Sequence, residues 1–421
     1  MSRPLRFLHV TTFYPPYHFG GDGLYVYRLA HELADRGHTV DVVHCADSYR
    51  LLAGGEPTAR FSGHPGVTVH TLESRFGWLS PLLSHQTGQP LLKRAALARL
   101  LKRPFDVVHF HNVSLFGPGV LSLGGRRSFV RLYTVHEHWL VCPTSVLWKF
   151  NERPCEGPTC IRCTIAAGRP PQLWRFTPTL SRAARSVDRF LAPSHFTARM
   201  HAERGFDRPM THLPPFSARR DEEWRVPGPR PHPRPYFLYV GRLEILKGVR
   251  ALAAIWDRVP GADLVFVGDG SQRTELEALA KRDPRIVVHG PVPPDALGPY
   301  YVHAIACVVP SLVYEVAPTV VLEAFARKTP VVARDLGGTS ELAGEGGGIL
   351  YTTDDELVAA LAGLAASPET RAALAEVGYA AFERRWTTAV HLAAYLRLID
   401  EVAEQKAGGP RRQAAGERED R

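Results

Sequence analysis

Residues 226–248, VPGPRPHPRPYFLYVGRLEILKG, carry the organisation of the whole chain. Five prolines alternate from Pro227 to Pro235. Proline fixes φ and removes a backbone donor, so the segment 226–235 reads as a stiff connection between domains. Directly after it, FLYV is a continuous apolar run of the sort a strand buried on both faces needs. GRLEILKG then turns out of that strand. A domain over 1–225 is therefore expected before the connection and a second one over 236–385 after it.

Both sides repeat one pattern. Upstream, RFLHVTTF reads as a strand and LYVYRLAHELADR carries apolar residues at helical spacing. Gly37 stands where a helix C-terminus takes a positive φ, and TVDVVHC follows as the next strand. VTVHTL, DVVHFH, FVRLYTVH and DRFLAPS are further strands, and Ser194 is placed to cap the helix HFTARMHAERG. Downstream, ADLVFVGDG, RIVVHG, ACVVPS and TPVVAR alternate with helices around 248–258 and from Ser271. Such alternation predicts an α/β protein with two doubly wound, Rossmann-like domains facing across a cleft. A last helix is expected over 386–405, ahead of a polar tail, 406–421, expected to be disordered. The basic residues of LLKRAALARLLKR (91–103) scatter around the helix axis, which suits a packed helix better than a membrane-surface one.

Composition sets the class. Of 421 residues, 45% are hydrophobic and 22% charged, as in a globular protein rather than a disordered or fibrous one. No apolar run approaches the roughly 18 residues a membrane-spanning helix needs. MSRPLRFLHVTTFYPP meets a proline pair early and shows no small-residue cleavage site, so a cytoplasmic protein is expected. The net charge of +9 is uneven: residues 1–220 hold 28 Lys and Arg against 14 Asp and Glu, and residues 221–421 hold 23 against 28. The basic half suits an anionic partner such as a lipid headgroup, an anionic acceptor or nucleic acid, or else is a solvated arginine-rich face.

Ligands of open α/β sheets bind beyond the carboxyl ends of the strands. Arg242 and Lys247 follow the strand FLYV, where a planar guanidinium and a compact ammonium suit a diphosphate leaving group. Glu315 and Glu323, in PSLVYEVAPTVVLEAF, flank a proline turn that opens a helix. Glu315 is placed to hold sugar hydroxyls, Glu323 to accept ribose hydroxyls, and the amides of Thr319 and Val320 to face an anion. Gly20 and Gly21 permit close backbone approach at the first helix. His136 ends the strand FVRLYTVH on the cleft side, and His111 holds a similar place after DVVHFH, toward an acceptor. Cys142, Cys155, Cys160 and Cys163 crowd one stretch. A structural zinc, with His136 or His138 in place of one thiolate, or free thiols, or a redox pair, each accounts for them.

Together these pieces resemble the retaining glycosyltransferases of the GT-B fold, family 4, over nearly the whole chain. The matching segments are GGDG, DVVHFHN, TVHEHW, APSHFTARM, GRLEILKG, VGDGS, HGPV, and the Glu315/Glu323 pair followed by TPVVARDLGGTSEL. The resemblance implies a nucleotide-diphosphate sugar as donor substrate, held by the C-terminal domain, and an acceptor received by the N-terminal one. It implies that Arg242 and Lys247 bind the diphosphate, Glu315 faces the donor sugar and Glu323 the ribose. By the same resemblance His289 and Val292 frame the base, and Gly241 and Gly268 lie in the donor turns. His136 is implied beside the reacting sugar, and Gly20 and Gly21 near phosphate and acceptor. The last helix is implied to cross back to the first domain, and a cysteine-bearing insert at about 139–170 to be structural. One departure is Val316-Ala317-Pro318, where the family pattern is glycine-rich. No Asp-x-Asp closes an apolar strand, so a metal-independent, retaining hexosyltransferase is expected, with no cofactor for catalysis. Its acceptor is undetermined, nucleic acid is not an expected partner, and peripheral contact with the inner membrane face fits the basic half. The alternatives are a GT-B nucleotide-sugar epimerase, which needs no acceptor, and a basic nucleic-acid-binding protein.

Overall fold

A computed structural model describes residues 3–125, 129–217 and 228–416. The first domain contains β1 (Arg6–Val10), β2 (Thr39–Cys45), β3 (Val67–Leu72), β4 (Val107–Phe110), β5 (Val130–Thr134), a two-stranded hairpin of β6 (Trp148–Lys149) and β7 (Arg153–Pro154), β8 (Arg189–Ala192) and β9 (Met210–His212). Seven of them form one parallel sheet in the order β3-β2-β1-β4-β5-β8-β9. The second domain contains β10 (Tyr236–Val240), β11 (Asp263–Val267), β12 (Ile286–Gly290), β13 (Cys307–Val309), β14 (Val331–Arg334) and β15 (Ile349–Tyr351). These form a parallel sheet in the order β12-β11-β10-β13-β14-β15. Both sheets reverse their strand order beside the first strand, between β1 and β4 and between β10 and β13. Such a switch point opens a crevice at the carboxyl ends.

The central strands of each sheet are buried on both faces, which is why runs such as FLYV and LVFV read as apolar throughout. In β1, side chains alternate between faces. Leu8 and Val10 enter a core with Phe110, Phe116, Trp139 and Phe190, while Phe7 enters a core with Val40, Val107 and Leu132. The second domain divides likewise into two cores, around Leu238, Val309 and Phe325 and around Phe237, Trp256 and Phe266.

The terminal helix, Thr388–Gly416, closes the second face of the first sheet. Leu392, Tyr395, Leu398, Ile399 and Val402 join that core, each worth about 1.5–3 kcal/mol of apolar burial. Its backbone runs past 405, through most of the stretch expected to be a disordered tail; residues 417–421 lie outside the described residues. The physical reason is anchorage: Lys406 Nζ donates to the Phe129 carbonyl at 2.9 Å and to Asp188 Oδ2 at 2.7 Å.

The proline-rich connection begins outside the described residues at 226–227, and its remainder is tied to the second domain. His232 and Arg234 both bond Asp263 Oδ2, at 2.5 and 2.7 Å. The chain also crosses near Trp386, which is fully buried, stacks on Phe325, and whose carbonyl accepts from Ser217 N at 3.1 Å. Two edge strands, β9 and β15, have no counterpart in the sequence expectations. The stretch 91–103 splits into a turn of 3₁₀ helix, Leu91–Lys93, and the helix Arg94–Leu100, because Lys93 is drawn inward to pair with the buried Asp47.

Candidate active site

Glycine geometry brings the loops after β10 and β13 together. Gly248 has φ 75°, and a Cβ there would lie 2.0 Å from the Pro310 carbonyl oxygen. That close approach lets Leu312 N reach Leu246 O at 2.9 Å. Gly268, φ 148°, packs against Gly241 so tightly that a Cβ would meet the Gly241 oxygen at 1.9 Å. Both are backbone positions that only glycine fills.

Lys247 and Glu315 meet across these loops. Lys247 Nζ lies 2.5 Å from Glu315 Oε1, with 21% and 16% of the side chains exposed. Ser311 Oγ donates to the same oxygen at 2.8 Å. Burial pushes the Glu315 carboxyl upward, but Lys247, Ser311 and the nearby Arg242 charge outweigh it, leaving the group below the ordinary carboxylate value. Arg242 is exposed at the rim, and its carbonyl accepts from Tyr239 Oη at 2.7 Å.

Glu323 lies on the short helix Thr319–Phe325, which starts with Thr319 and Val320 behind Pro318. It is engaged from both domains. Arg28, on the helix Gly21–Asp35, reaches Oε1 with two nitrogens at 3.1 Å, and Tyr301 Oη donates to Oε2 at 3.1 Å. Gly20 and Gly21 begin that first-domain helix. A Cβ at Gly20 would meet nothing within 4 Å, and one at Gly21 would only touch Thr319 Oγ1 at 4.0 Å. The glycine turn and the Thr319 helix start thus face each other across the crevice.

His136 sits at the end of β5, partly exposed. Its Nε2 lies 2.9 Å from His111 Nδ1, and its ring is 4.9 Å from that of Tyr25. Burial lowers its pKa to about 4, opposed by the Asp22 charge. His111 is 1% exposed with both ring nitrogens engaged, so it stands behind His136. His289 bonds Tyr300 Oη at 2.6 Å, and Val292 packs beside the second-domain core.

In the cysteine insert, burial raises the Cys160 thiol, and the nearby Cys142, Cys155 and Cys163 raise it further. Among the described residues, the clusters with metal-ligand proximity are His9/His109/His111 and His195/His212/Glu341, with no trio of these thiols. Cys142 Sγ pairs with Thr144 Oγ1 at 3.3 Å, Cys155 Sγ with the Gly157 carbonyl at 3.5 Å, and Cys163 Sγ with the Trp148 carbonyl at 3.9 Å.

Several contacts between the domains had escaped the sequence reading. Ser194 Oγ accepts from Thr197 N at 3.2 Å, as a cap, and also donates to the second-domain Val316 carbonyl at 2.6 Å. Glu341 caps the same helix from the other domain, accepting from His195 N and Phe196 N at 2.7 and 2.8 Å. His138 Nε2 donates to the Tyr314 carbonyl at 2.9 Å. Arg28 joins a partner 295 positions away, which no local pattern announces. No helix among the described residues is long and apolar enough to cross a membrane.

Known proteins share this fold. Residues 19–217 match the family described as Glycosyltransferase Family 4, and residues 234–367 the one described as Glycosyl transferases group 1. A D-inositol 3-phosphate glycosyltransferase of Acidothermus cellulolyticus is 30% identical over 422 residues, covering 94% of this chain and 89% of that protein. The chain spans only about a quarter of some other relatives, such as the sulfoquinovosyl transferase of Arabidopsis thaliana, 32% identical over 124 residues, 29% of this chain and 24% of that protein. Sucrose-phosphate synthase of Thermosynechococcus elongatus superposes with a TM-score of 0.66 at 20% identity, covering 98% of this chain and all of that one. Anabaena HepE, solved in complex with UDP, superposes at 0.63 and 16% identity, covering 94% and 100%. With a relative of that identity spanning nearly its full length, two family matches in tandem and two Rossmann-like domains, the chain belongs to the group 1, family 4 glycosyltransferases of the GT-B fold.

Proposed function

We propose that the protein moves a hexose-type sugar from a nucleoside-diphosphate sugar to a hydroxyl acceptor, with retention of configuration and without a catalytic metal ion. The observation that carries this reading is the Lys247–Glu315 pair at the carboxyl end of β10, with Arg242 beside it and Glu323 on the helix that follows Glu315. Lys247 keeps two further N–H groups for a diphosphate oxygen while Glu315 holds it in place. Arg242, exposed and preset nearby, is the second cation. The bond from the anomeric carbon to the diphosphate breaks as the acceptor oxygen attacks from the same face, and the acceptor proton passes to the departing phosphate. Charge grows on the diphosphate during that step, so fixed cations stabilise the transition state more than the ground state. Glu315, kept ionised, faces the positive charge that develops on the sugar. Gly20, Gly21 and the amides of Thr319 and Val320 border the space left for the phosphates, with His289, Val292, Gly241 and Gly268 on the base side. HepE, with the same fold, was solved with UDP, which is consistent with a nucleotide donor here. The basic first domain suits an anionic acceptor or contact with an anionic membrane surface.

The test is a thermal-shift screen against nucleoside diphosphates and their sugars, with and without EDTA, followed by product analysis. One nucleotide should stabilise the protein regardless of EDTA, and its sugar should be transferred. Lys247→Ala and Arg242→Ala should each lose transfer while folding normally. Stabilisation by no nucleotide, or full activity in both variants, would overturn the reading.

A further inference from the structure

Three histidines are wired in series behind the crevice. The parallel register of β1 and β4 sets His9 opposite His109, and His111 N continues the ladder to Val10 O at 2.9 Å. From the crevice inward, His136 Nε2 meets His111 Nδ1 at 2.9 Å, and His111 Nε2 meets His9 Nδ1 at 2.9 Å. His9 Nε2 is buried and has no hydrogen-bond partner. His109, whose ring lies 4.0 Å from that of His111, stays outside the chain because its own nitrogens meet Tyr395 Oη and Thr134 Oγ1, each at 2.8 Å.

Burial holds all three imidazoles of the chain neutral near pH 7, so each carries one proton. Two directions are then open. If His136 Nε2 carried the proton, His111 would have to donate from Nε2, and the His9 proton would sit on the orphaned Nε2. A buried N–H without an acceptor is costlier than a bare lone pair. The molecule supplies its own precedents. His138 must donate from Nε2 to the Tyr314 carbonyl and His201 from Nδ1 to the Thr197 carbonyl, and in each the orphaned nitrogen is therefore the bare one. By the same rule His9 donates from Nδ1 to His111, and His111 donates from Nδ1 to His136.

We infer that His9 and His111 are positioning residues that hold His136 as the Nδ1–H tautomer, so that it offers the crevice a hydrogen-bond donor and no basic nitrogen. The inference rests on the transferase reading above for its consequence: His136 donates to a sugar or phosphate oxygen and does not take the acceptor proton. The tautomer itself does not depend on that reading.

Histidine-¹⁵N NMR of the intact protein at pH 7.5 tests it, with assignments from single substitutions. The expected result is a protonated Nδ1 and a bare Nε2 at His136, His111 and His9. His111→Asn keeps an amide N–H where Nδ1 stood and should preserve both the His136 tautomer and activity. His111→Leu removes that donor, so His136 should shift toward Nε2–H and kcat should fall about tenfold with the donor KM nearly unchanged. A His136 protonated on Nε2 in the unmodified protein would overturn the inference. So would an equimolar metal retained through EDTA dialysis, since His9, His109 and His111 would then spend their lone pairs on it. If the tautomer is as expected but no nucleotide binds, the transferase reading fails and the tautomer assignment stands.

Discussion

At the residue scale, two carboxylates are driven in opposite directions. Glu315 is held below its ordinary pKa by Lys247 and Ser311 in spite of burial. Glu137 is raised to about 8 by burial and then by the Asp22 charge, with Ser145, Arg169 and Arg175 only partly opposing. Glu137 thus keeps its proton in the folded state between about pH 4.5 and 8, where the unfolded chain has lost it. Stability must fall as pH rises through that window, by at most about 1.4 kcal/mol per unit. Glu137→Gln should therefore match the unmodified protein in melting temperature near pH 5 and exceed it by several degrees at pH 8, measured by calorimetry. Equal melting temperatures at both pH values would refute the shift. For Glu315→Gln we expect kcat to drop roughly 10²–10³-fold, the size typical of losing one preorganised charge-stabilising group. Steady-state kinetics on the identified donor would show a smaller loss if the carboxylate served only to hold Lys247.

At the element scale, the helix His195–Glu203 is where the two domains grip each other. Its N-terminal amides are satisfied by Ser194 from its own chain segment and by Glu341 from the second domain, as helix termini and dipoles favour. Ser194 was recognisable as a cap from its place before HFTARMHAERG. Its second bond, to the Val316 carbonyl, was not, because nothing local to Ser194 points to a partner 122 residues away. Losing both bonds in Ser194→Ala should cost about 1–2 kcal/mol in urea denaturation. The same change should loosen the crevice, seen as faster amide exchange at Val316 and its neighbours. Unchanged exchange there would limit Ser194 to capping.

At the scale of the whole molecule, Arg28 and Glu323 join the domains through the carboxylate proposed to receive the ribose. An ion pair this partly exposed contributes about 0.2–1 kcal/mol. Arg28→Ala should then tighten nucleotide binding by up to roughly fivefold, while Glu323→Gln should weaken it by about tenfold. Titration calorimetry decides: equal weakening by both would mean that Arg28 binds the donor directly and does not compete with it. Acid sensitivity is the other global property. Burial lowers His44, His85, His136, His201 and His391 to about 4, and His9 and His138 to about 3. Their stabilisation is complete above about pH 6.5, where the unfolded chain is also neutral, and is lost as pH falls toward 4. The melting temperature should accordingly drop steeply between pH 6.5 and 5.

The chain by itself determined its two-domain α/β architecture, because buried parallel strands must be apolar throughout and helices periodic, and both signals are local. It also offered Arg242, Lys247, Glu315 and Glu323 as candidates, because charges placed beyond the carboxyl ends of apolar strands suit an anionic, hydroxyl-bearing ligand. Tertiary structure alone decided who meets whom. Lys247 joins Glu315 only because Gly248 lets one loop lie on another, and Arg28 reaches Glu323 only once the domains face each other. The burial of His111 was not legible, because strand position gives a side chain's height along the sheet but not what covers it. That cover is His136 in front, with His9 and His109 beside it. Those contacts depend on strand register and domain packing, which arise from the summed burial of distant segments and leave no signature in any one of them.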